Sequence, residues 1–252
     1  MNKLIFLGTG NASNLERQMT SLCFIVEGKV FLIDCGDGMG TVRQLVRAGV
    51  NLTTLHHLFV THSHADHVVG FPHLLFLTAN RYKTKVHLYG PHETLEVVKT
   101  ISSIVHTLDN TLITFHSLKN GETVSLLPNL TITGVQTTNQ PITFAYAVQT
   151  PVIKISFSSD MIPNPAFTRL AQSSHILIHE CGGTEIELSK PKHHSSAKDA
   201  GETARLIQAK HLILTHVGMK KDIGTGKKLI NEAKNYFNGK ITLAYDLMVV
   251  RF

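Results

Sequence analysis

The segment Thr61-His62-Ser63-His64-Ala65-Asp66-His67 constrains this chain more than any other stretch. Four metal-ligating side chains fall within six positions, directly after the apolar run Leu58 to Thr61. A helix would set His62 and His64 on poorly matched directions, and a strand would point Asp66 to their face but His67 to the other. A loop leaving a strand end can turn all four inward, as a pair of close metal ions requires. Imidazole and carboxylate donors suit zinc, one ion or two, with manganese or iron as alternatives. His56 and His57, just upstream, lack this clustering and read as one core-facing and one solvent-facing histidine.

The rest of the chain must supply that strand end with a scaffold. Strand-like runs at Leu4 to Leu7, Ser21 to Val26 and Val30 to Asp34 open it, the last two joined through Glu27-Gly28 as in a hairpin. Helical spacing follows from Thr41 to Ala48, and a helix interrupted by Pro72 is expected over Val69 to Thr78. A strand at Lys85 to Tyr89 precedes a helix from Glu93 to about Val105. Five further strand patterns lie between Leu112 and Ser158. The last third alternates: strands at His175 to His179 and His211 to Thr215, helices at Ala197 to Gln208 and Lys227 to Tyr236, then strands near Ile241 to Ala244 and Leu247 to Val250. Two β-rich halves, each followed by helices, predict an α/β protein with sheets packed face to face and helices outside. No linker composition interrupts the chain, so residues 1–252 read as a single domain.

Charge and cysteine content narrow the setting. A formal charge of +6 favours an anionic substrate or nucleic acid through steering, although a modest excess of this kind is mostly solvated surface. Cys23, Cys35 and Cys181 are odd in number and lack CxxC spacing, which reads as buried free thiols in a reducing compartment. The opening MNKLIFLGTGN lacks the length and cleavage pattern of a secretory signal, and no window approaches 18 apolar residues. A cytoplasmic location with no membrane partner is expected.

The metal-ligand cluster in its strand context resembles the HxHxDH signature of the metallo-β-lactamase superfamily. FLGTGN at the start, Asp34-Cys35-Gly36-Asp37-Gly38, and the following helix with Arg43, Gln44 and Leu45 resemble its ribonuclease Z side. The resemblance runs over nearly the whole chain and implies a four-layer αββα sandwich. It implies that His62 and His64 hold a first metal and that Asp66 and His67 hold a second. Ser158-Ser159-Asp160 is similar to the family's SGD segment, which makes Asp160 the bridge, and Thr215-His216 matches the late histidine of the second metal. Where Asn139 stands the family has a histidine. Asn139 as a weak ligand, Gln136 or Gln140 as the donor, a water in the shell, or a polar turn residue without metal contact all remain open. Ribonuclease Z-like proteins are often dimers, so a homodimer is an expectation of the same kind.

Two further segments resemble the phosphodiesterases of this family. Leu177-Ile178-His179-Glu180 is similar to their hydrophobic strand ending in Glu, and His194-Ser195-Ser196-Ala197 to their HST-like segment. The resemblance implies that Glu180 orients His194, which donates a proton to the leaving oxygen, while Asp66 orients a metal-activated water. His193 is the competing register for His194. Gly8-Thr9-Gly10 lacks the full GxGxxG pattern, so compact turning explains it better than a nucleotide.

Members that trim transfer RNA 3′ ends usually carry a long arm, whereas only 13 residues separate Tyr146 from Asp160 here. Hydrolysis of a small anionic phosphodiester is therefore the leading expectation. Another ester class (lactone, thioester or aryl sulfate), ribonuclease Z-type processing of RNA, and a non-catalytic metal-binding sensor are the alternatives.

Overall fold

Apolar residues dense enough to be buried on both faces begin the fold. They form β1 (Lys3–Gly8), β2 (Ser21–Val26) and β3 (Lys29–Ile33), with Glu27 and Gly28 turning β2 into β3 at positive φ. The computed structural model describes residues 2–107, 109, 111–139, 141–188, 193–218 and 225–252, with the side chain of Asn139 also outside this set. After β3 come α1 (Met39–Arg47), β4 (Leu55–Phe59), α2 (Ala65–Val68), α3 (Phe71–Leu75), β5 (Val86–Gly90), α4 (His92–Ile104) and β6 (Ile113–Ser117). Next follow β7 (Thr123–Leu127), β8 (Leu130–Asn139), β9 (Ile142–Gln149), β10 (Lys154–Phe157), α5 (Pro165–Ala171), β11 (Ile176–Glu180), α6 (Ala197–Leu206) and β12 (His211–Thr215). The chain ends with α7 (Thr225–Lys234), β13 (Lys240–Leu243) and β14 (Val249–Arg251).

These elements fall into two compact units. The first holds residues up to Ala12, Arg17–Lys119 and Tyr245–Phe252; the second holds Ser13–Glu16 and Asn120–Ala244. Each contains a seven-stranded sheet, ordered β14-β1-β2-β3-β4-β5-β6 in the first and β13-β12-β11-β10-β9-β8-β7 in the second. Both sheets are built alike, with antiparallel pairing through a meander followed by parallel pairing across three βα steps. Parallel strands place their carboxyl ends on one edge of a sheet, where α/β proteins bind ligands.

In the first unit Ile5, Leu7, Cys23, Leu32, Leu58 and Leu88 join Val42 and Leu45 of α1 and Phe71 of α3 in one core. In the second, Leu177, Leu212 and Leu214 pack with the small face of α6, Ala197, Ala200 and Ala204. Each fully buried large side chain of this kind contributes roughly 1.5–3 kcal/mol relative to exposure. Gly201 brings α6 against α7, for a Cβ there would lie 2.7 Å from the Ala233 carbonyl. Ser196 and Asp199 form a reciprocal capping box that starts α6.

Several elements differ from the sequence expectation for identifiable reasons. Pro72 does not interrupt a helix but begins one, in the first turn of α3 where its missing N–H costs nothing. The helix continues as a π-helical turn over Phe76–Arg81. β4 starts at Leu55 rather than Leu58, because the parallel ladder to β3 pairs His57 with Phe31 despite its polar ring. β8 runs on through the polar Gln136–Asn139 because backbone pairing with β9, past a bulge between Gln136 and Thr138, holds it. α5 had too short an apolar pattern to announce itself; Asn164 caps it by accepting from the Ala166 and Phe167 amides. All three cysteines are free and buried, as expected. No described helix is long and apolar enough to cross a membrane.

His179, fully buried on β11, donates from Nδ1 to the Glu180 carbonyl at 2.8 Å, and burial pushes its pKa down to about 4. The unfolded chain takes up that proton near pH 6.5, so acid favours unfolding between these values. The group's full effect is roughly 3 kcal/mol of stability lost by pH 4. Urea denaturation at pH 7 and pH 4.5 is expected to show a smaller acid loss in His179→Gln than in the parent protein. An equal loss in both would assign the effect to other groups.

Candidate metal centre

In the first unit the HxHxDH segment divides at His64. Residues 60–64 leave β4 as irregular chain, and Ala65–Val68 then turn as the short helix α2 with His64 at its N-cap. The expected loop is thus half loop and half helical turn. The turn puts Asp66 and His67 in the interior, while His64 stays exposed. The facing nitrogens His62 Nε2 and His64 Nδ1 lie 3.0 Å apart, close to the separation of two nitrogens on one ion. Asp66 Oδ2 accepts from the Ala12 amide at 3.0 Å and lies 3.7 Å from His67 Nε2.

Asp34 fixes this arrangement. Its Oδ1 accepts from the Thr61 amide and its Oδ2 from the Thr61 hydroxyl, each at 2.8 Å, and Oδ2 also lies 2.7 Å from His67 Nδ1. Thr61 Oγ1, its hydrogen given to Asp34, accepts in turn from His62 Nδ1 at 2.9 Å. Both rings therefore carry hydrogen on Nδ1 and turn a lone pair outward at Nε2. A carboxylate–histidine pair of this kind orients a ligand and raises its basicity, so the residues present fit a divalent ion. Sequence reasoning used Asp34 only as a family marker and missed this role; the signal was an acidic residue at the end of the strand beside β4.

Gly8-Thr9-Gly10 is structural in the same unit, as expected. A Cβ on Gly8 would collide with the Met19 carbonyl, and the Thr9 hydroxyl donates to Asp246 at 2.7 Å while accepting from Arg17 at 2.8 Å.

The second unit assembles its own group. Asp160, His194 and His216 each offer one donor atom, all within 4.8 Å of one another, and His216 Nε2 lies 3.1 Å from Asp160 Oδ2. Glu180, wholly buried at the end of β11, is saturated by its neighbours. Its Oε1 accepts from the Met161 amide at 2.6 Å and the Ser195 amide at 3.2 Å, and its Oε2 from His194 Nδ1 at 2.9 Å. Burial pushes the Glu180 carboxyl above the ordinary carboxylate value; the His194 bond opposes this and the charge of Asp160 adds to it. His194 is only 31% exposed while His193 lies on the surface, so geometry selects His194 as the partner of Glu180.

Backbone conformation marks the same positions. Asp34, Ser159 and His216 have φ of 60°, 55° and 56°, and each follows a strand end. Left-handed backbone at non-glycine residues costs on the order of 1–3 kcal/mol and persists where surrounding structure enforces it, often at functional sites. Asn139 closes β8 opposite Ile142, but its side chain and the whole of Gln140 lie outside the described residues. Gln136 donates to the Thr138 carbonyl at 3.3 Å. β9 and β10 are joined by residues 150–153 alone.

Comparison with known proteins agrees with this architecture. A family model described as Anti-Pycsar protein Apyc1 matches residues 2–230. The ribonuclease Z of Methanothermobacter thermautotrophicus is 26% identical over 306 aligned positions that cover 99% of this chain and 96% of the relative. Those 306 positions exceed the 252 residues here by 54, so the relative carries insertions this chain lacks. Among solved structures, the metallo-β-lactamase fold protein YhfI from Bacillus subtilis superposes with a TM-score of 0.85 at 20% identity, covering 99% of this chain and 98% of that one. Human tRNase Z, short form, gives 0.80 at 23%, with coverage of 99% and 98%. The chain has the metallo-β-lactamase fold and is ribonuclease Z-like.

Replacing the buried carboxylate by its amide tests the orienting network. Asp34→Asn forces one amide hydrogen against donors, so zinc affinity measured by chelator competition is expected to fall about 10- to 100-fold. Asp37→Asn, an exposed neighbour, is expected to leave it unchanged. Equal affinities in the two variants would refute the orienting role.

Proposed function

The chain belongs to the Anti-Pycsar protein Apyc1 family, and on that footing we propose that this metal-dependent hydrolase is a phosphodiesterase acting on small phosphodiesters, cyclic ones included. The observation that carries this reading is the Glu180–His194 pair beside Asp160 and His216. A metal kept only for structure needs no imidazole held by a buried carboxylate.

In this reading the metal ligands would be His62, His64, Asp66 and His67 of the first unit and Asp160 and His216 of the second. Zinc is the first choice for this donor set, with manganese or iron as substitutes. Bound divalent ions would supply an activated water near neutral pH and positive charge for the phosphoryl oxygens. The protein's own groups do the rest. Asp66 orients the nucleophile, its carboxylate steadied by the Ala12 amide. Glu180 holds His194 by Nδ1, and His194 gives the Nε2 proton to the departing alkoxide oxygen. Position 139 carries an amide where the family it resembles has an imidazole, and an amide is a weaker donor, so an ion that Asn139 shared with His62 and His64 would be bound less tightly.

The substrate assignment rests on size. The four-residue β9–β10 connection leaves no room there for an arm of the kind that docks transfer RNA in the family this chain resembles. Full-length similarity to a ribonuclease supports a second reading, cleavage of RNA at the same groups.

Hydrolysis of bis(p-nitrophenyl) phosphate by apo protein reconstituted with zinc or manganese is expected to be metal-dependent. His194→Ala should lower kcat by at least about tenfold. No turnover despite measured metal binding would sink the phosphodiesterase reading. Cyclic nucleotides and a precursor transfer RNA with a 3′ trailer then separate the two substrates, the first being the expected one. Asn139→His is expected to raise the affinity for the weaker of two metal equivalents in calorimetry, and an unchanged isotherm would remove position 139 from the ligand set.

A further inference from the structure

One face of the first unit's outer strands carries a cluster of rings. The parallel register β4-β5-β6 sets His57 beside His87 and Tyr89 beside His116, while the alternate residues Leu58, Leu88 and Ile113 enter the core on the other face. Stacked rings continue along this face: Phe59 on Tyr89 at 4.7 Å, Tyr89 on His116 at 4.5 Å, His57 on His87 at 5.6 Å. Across the β5–β6 boundary His87 Nδ1 and His116 Nε2 face each other at 3.0 Å. His57 does not share that point, since its Nδ1 lies 3.4 Å from the Tyr89 hydroxyl.

We propose that His87 and His116 chelate a late first-row divalent cation, Cu²⁺ ahead of Ni²⁺ and Zn²⁺, at a site separate from the HxHxDH segment.

Three properties support the assignment. The two facing nitrogens sit at the separation that neighbouring nitrogens take on one ion, and both belong to strands whose backbone ladder fixes them, so little ordering remains to be done on binding. Both rings are half-buried, which leaves the outer positions of the ion open to water. Burial, reinforced by His87, holds His116 below the ordinary histidine value; burial with His87, Lys29, His56 and His116 holds His57 at about 4. His116 and His57 are therefore neutral near pH 7, and a neutral imidazole is what a metal takes.

Without metal, one facing nitrogen carries the hydrogen that the other accepts. Binding moves that hydrogen to the far nitrogen of the same ring, so two lone pairs meet the cation. The nitrogen-only donor set selects Cu²⁺, the top of the divalent affinity order. Because β6 is the edge strand, the ion would clamp that edge to β5.

The test uses full-length, untagged protein with its zinc already loaded, titrated with Cu²⁺ and followed by electron paramagnetic resonance, calorimetry and metal analysis. One copper equivalent beyond the retained zinc is expected, with nitrogen superhyperfine coupling and a raised Tm. His87→Gln and His116→Gln should each weaken that equivalent by at least about tenfold, while His57→Gln and His211→Gln should not. Sub-stoichiometric Cu²⁺ should also broaden the ring signals of His87 and His116 in the unaltered protein, a readout that needs no variant to fold. Copper that only displaces zinc, binding that survives both substitutions, or broadening confined to other histidines would overturn the proposal.

Discussion

The carboxylate of Asp34 is the constraint on which the first unit's candidate centre depends. It gathers two hydrogens from Thr61 and one from His67, and through Thr61 it governs His62 as well. One buried acidic group thereby decides the tautomer of two histidines that lie five positions apart in sequence. The geometry costs a left-handed backbone at Asp34 itself, and the surrounding strands hold it there. The second unit solves the same problem with a different carboxylate: Glu180, tied down by the Met161 and Ser195 amides, aims His194. In each unit the histidine is positioned by a neighbouring group that has no freedom left to move.

How far the sequence revealed this differs from element to element. The cluster of His62, His64, Asp66 and His67 was visible because four ligand-type side chains fall within six positions, and the fold buries three of them while leaving His64 exposed. The strands that present them were visible because buried parallel strands are apolar along their whole length, as in Leu212-Ile213-Leu214. What stayed hidden was whatever rests on backbone pairing or on distant partners. The polar end of β8 has no hydrophobic signature, α5 is only two turns long, and Pro72 reads as a breaker or a starter depending on where the preceding chain stops. Asp34 shows the same limit at the site. Its strand end was noticed, but its partners lie 27 and 33 positions away and only the fold brings them to it.

Function was legible to a similar depth. Chemistry follows from residue types that must converge, so a metal-dependent hydrolase could be read before any geometry was known. Substrate choice depends on the walls and appendages around that centre, where residue types are ordinary. The one informative feature there is a deficit, the short passage from β9 to β10.

The division of the chain between its two units has a consequence for synthesis. Neither unit is a continuous stretch, since Ser13–Glu16 belongs with the second and Tyr245–Phe252 with the first. The outermost strand of the first sheet, β14, is therefore supplied some 130 residues after β6 (Ile113–Ser117), by Val249–Arg251. Until the ribosome has passed that point, β1 presents an open row of amides and carbonyls, the kind of edge on which nascent chains aggregate. Cutting the polypeptide between Lys119 and Asn120 would leave each fragment missing part of its own unit, so this protein is a poor subject for separation into halves.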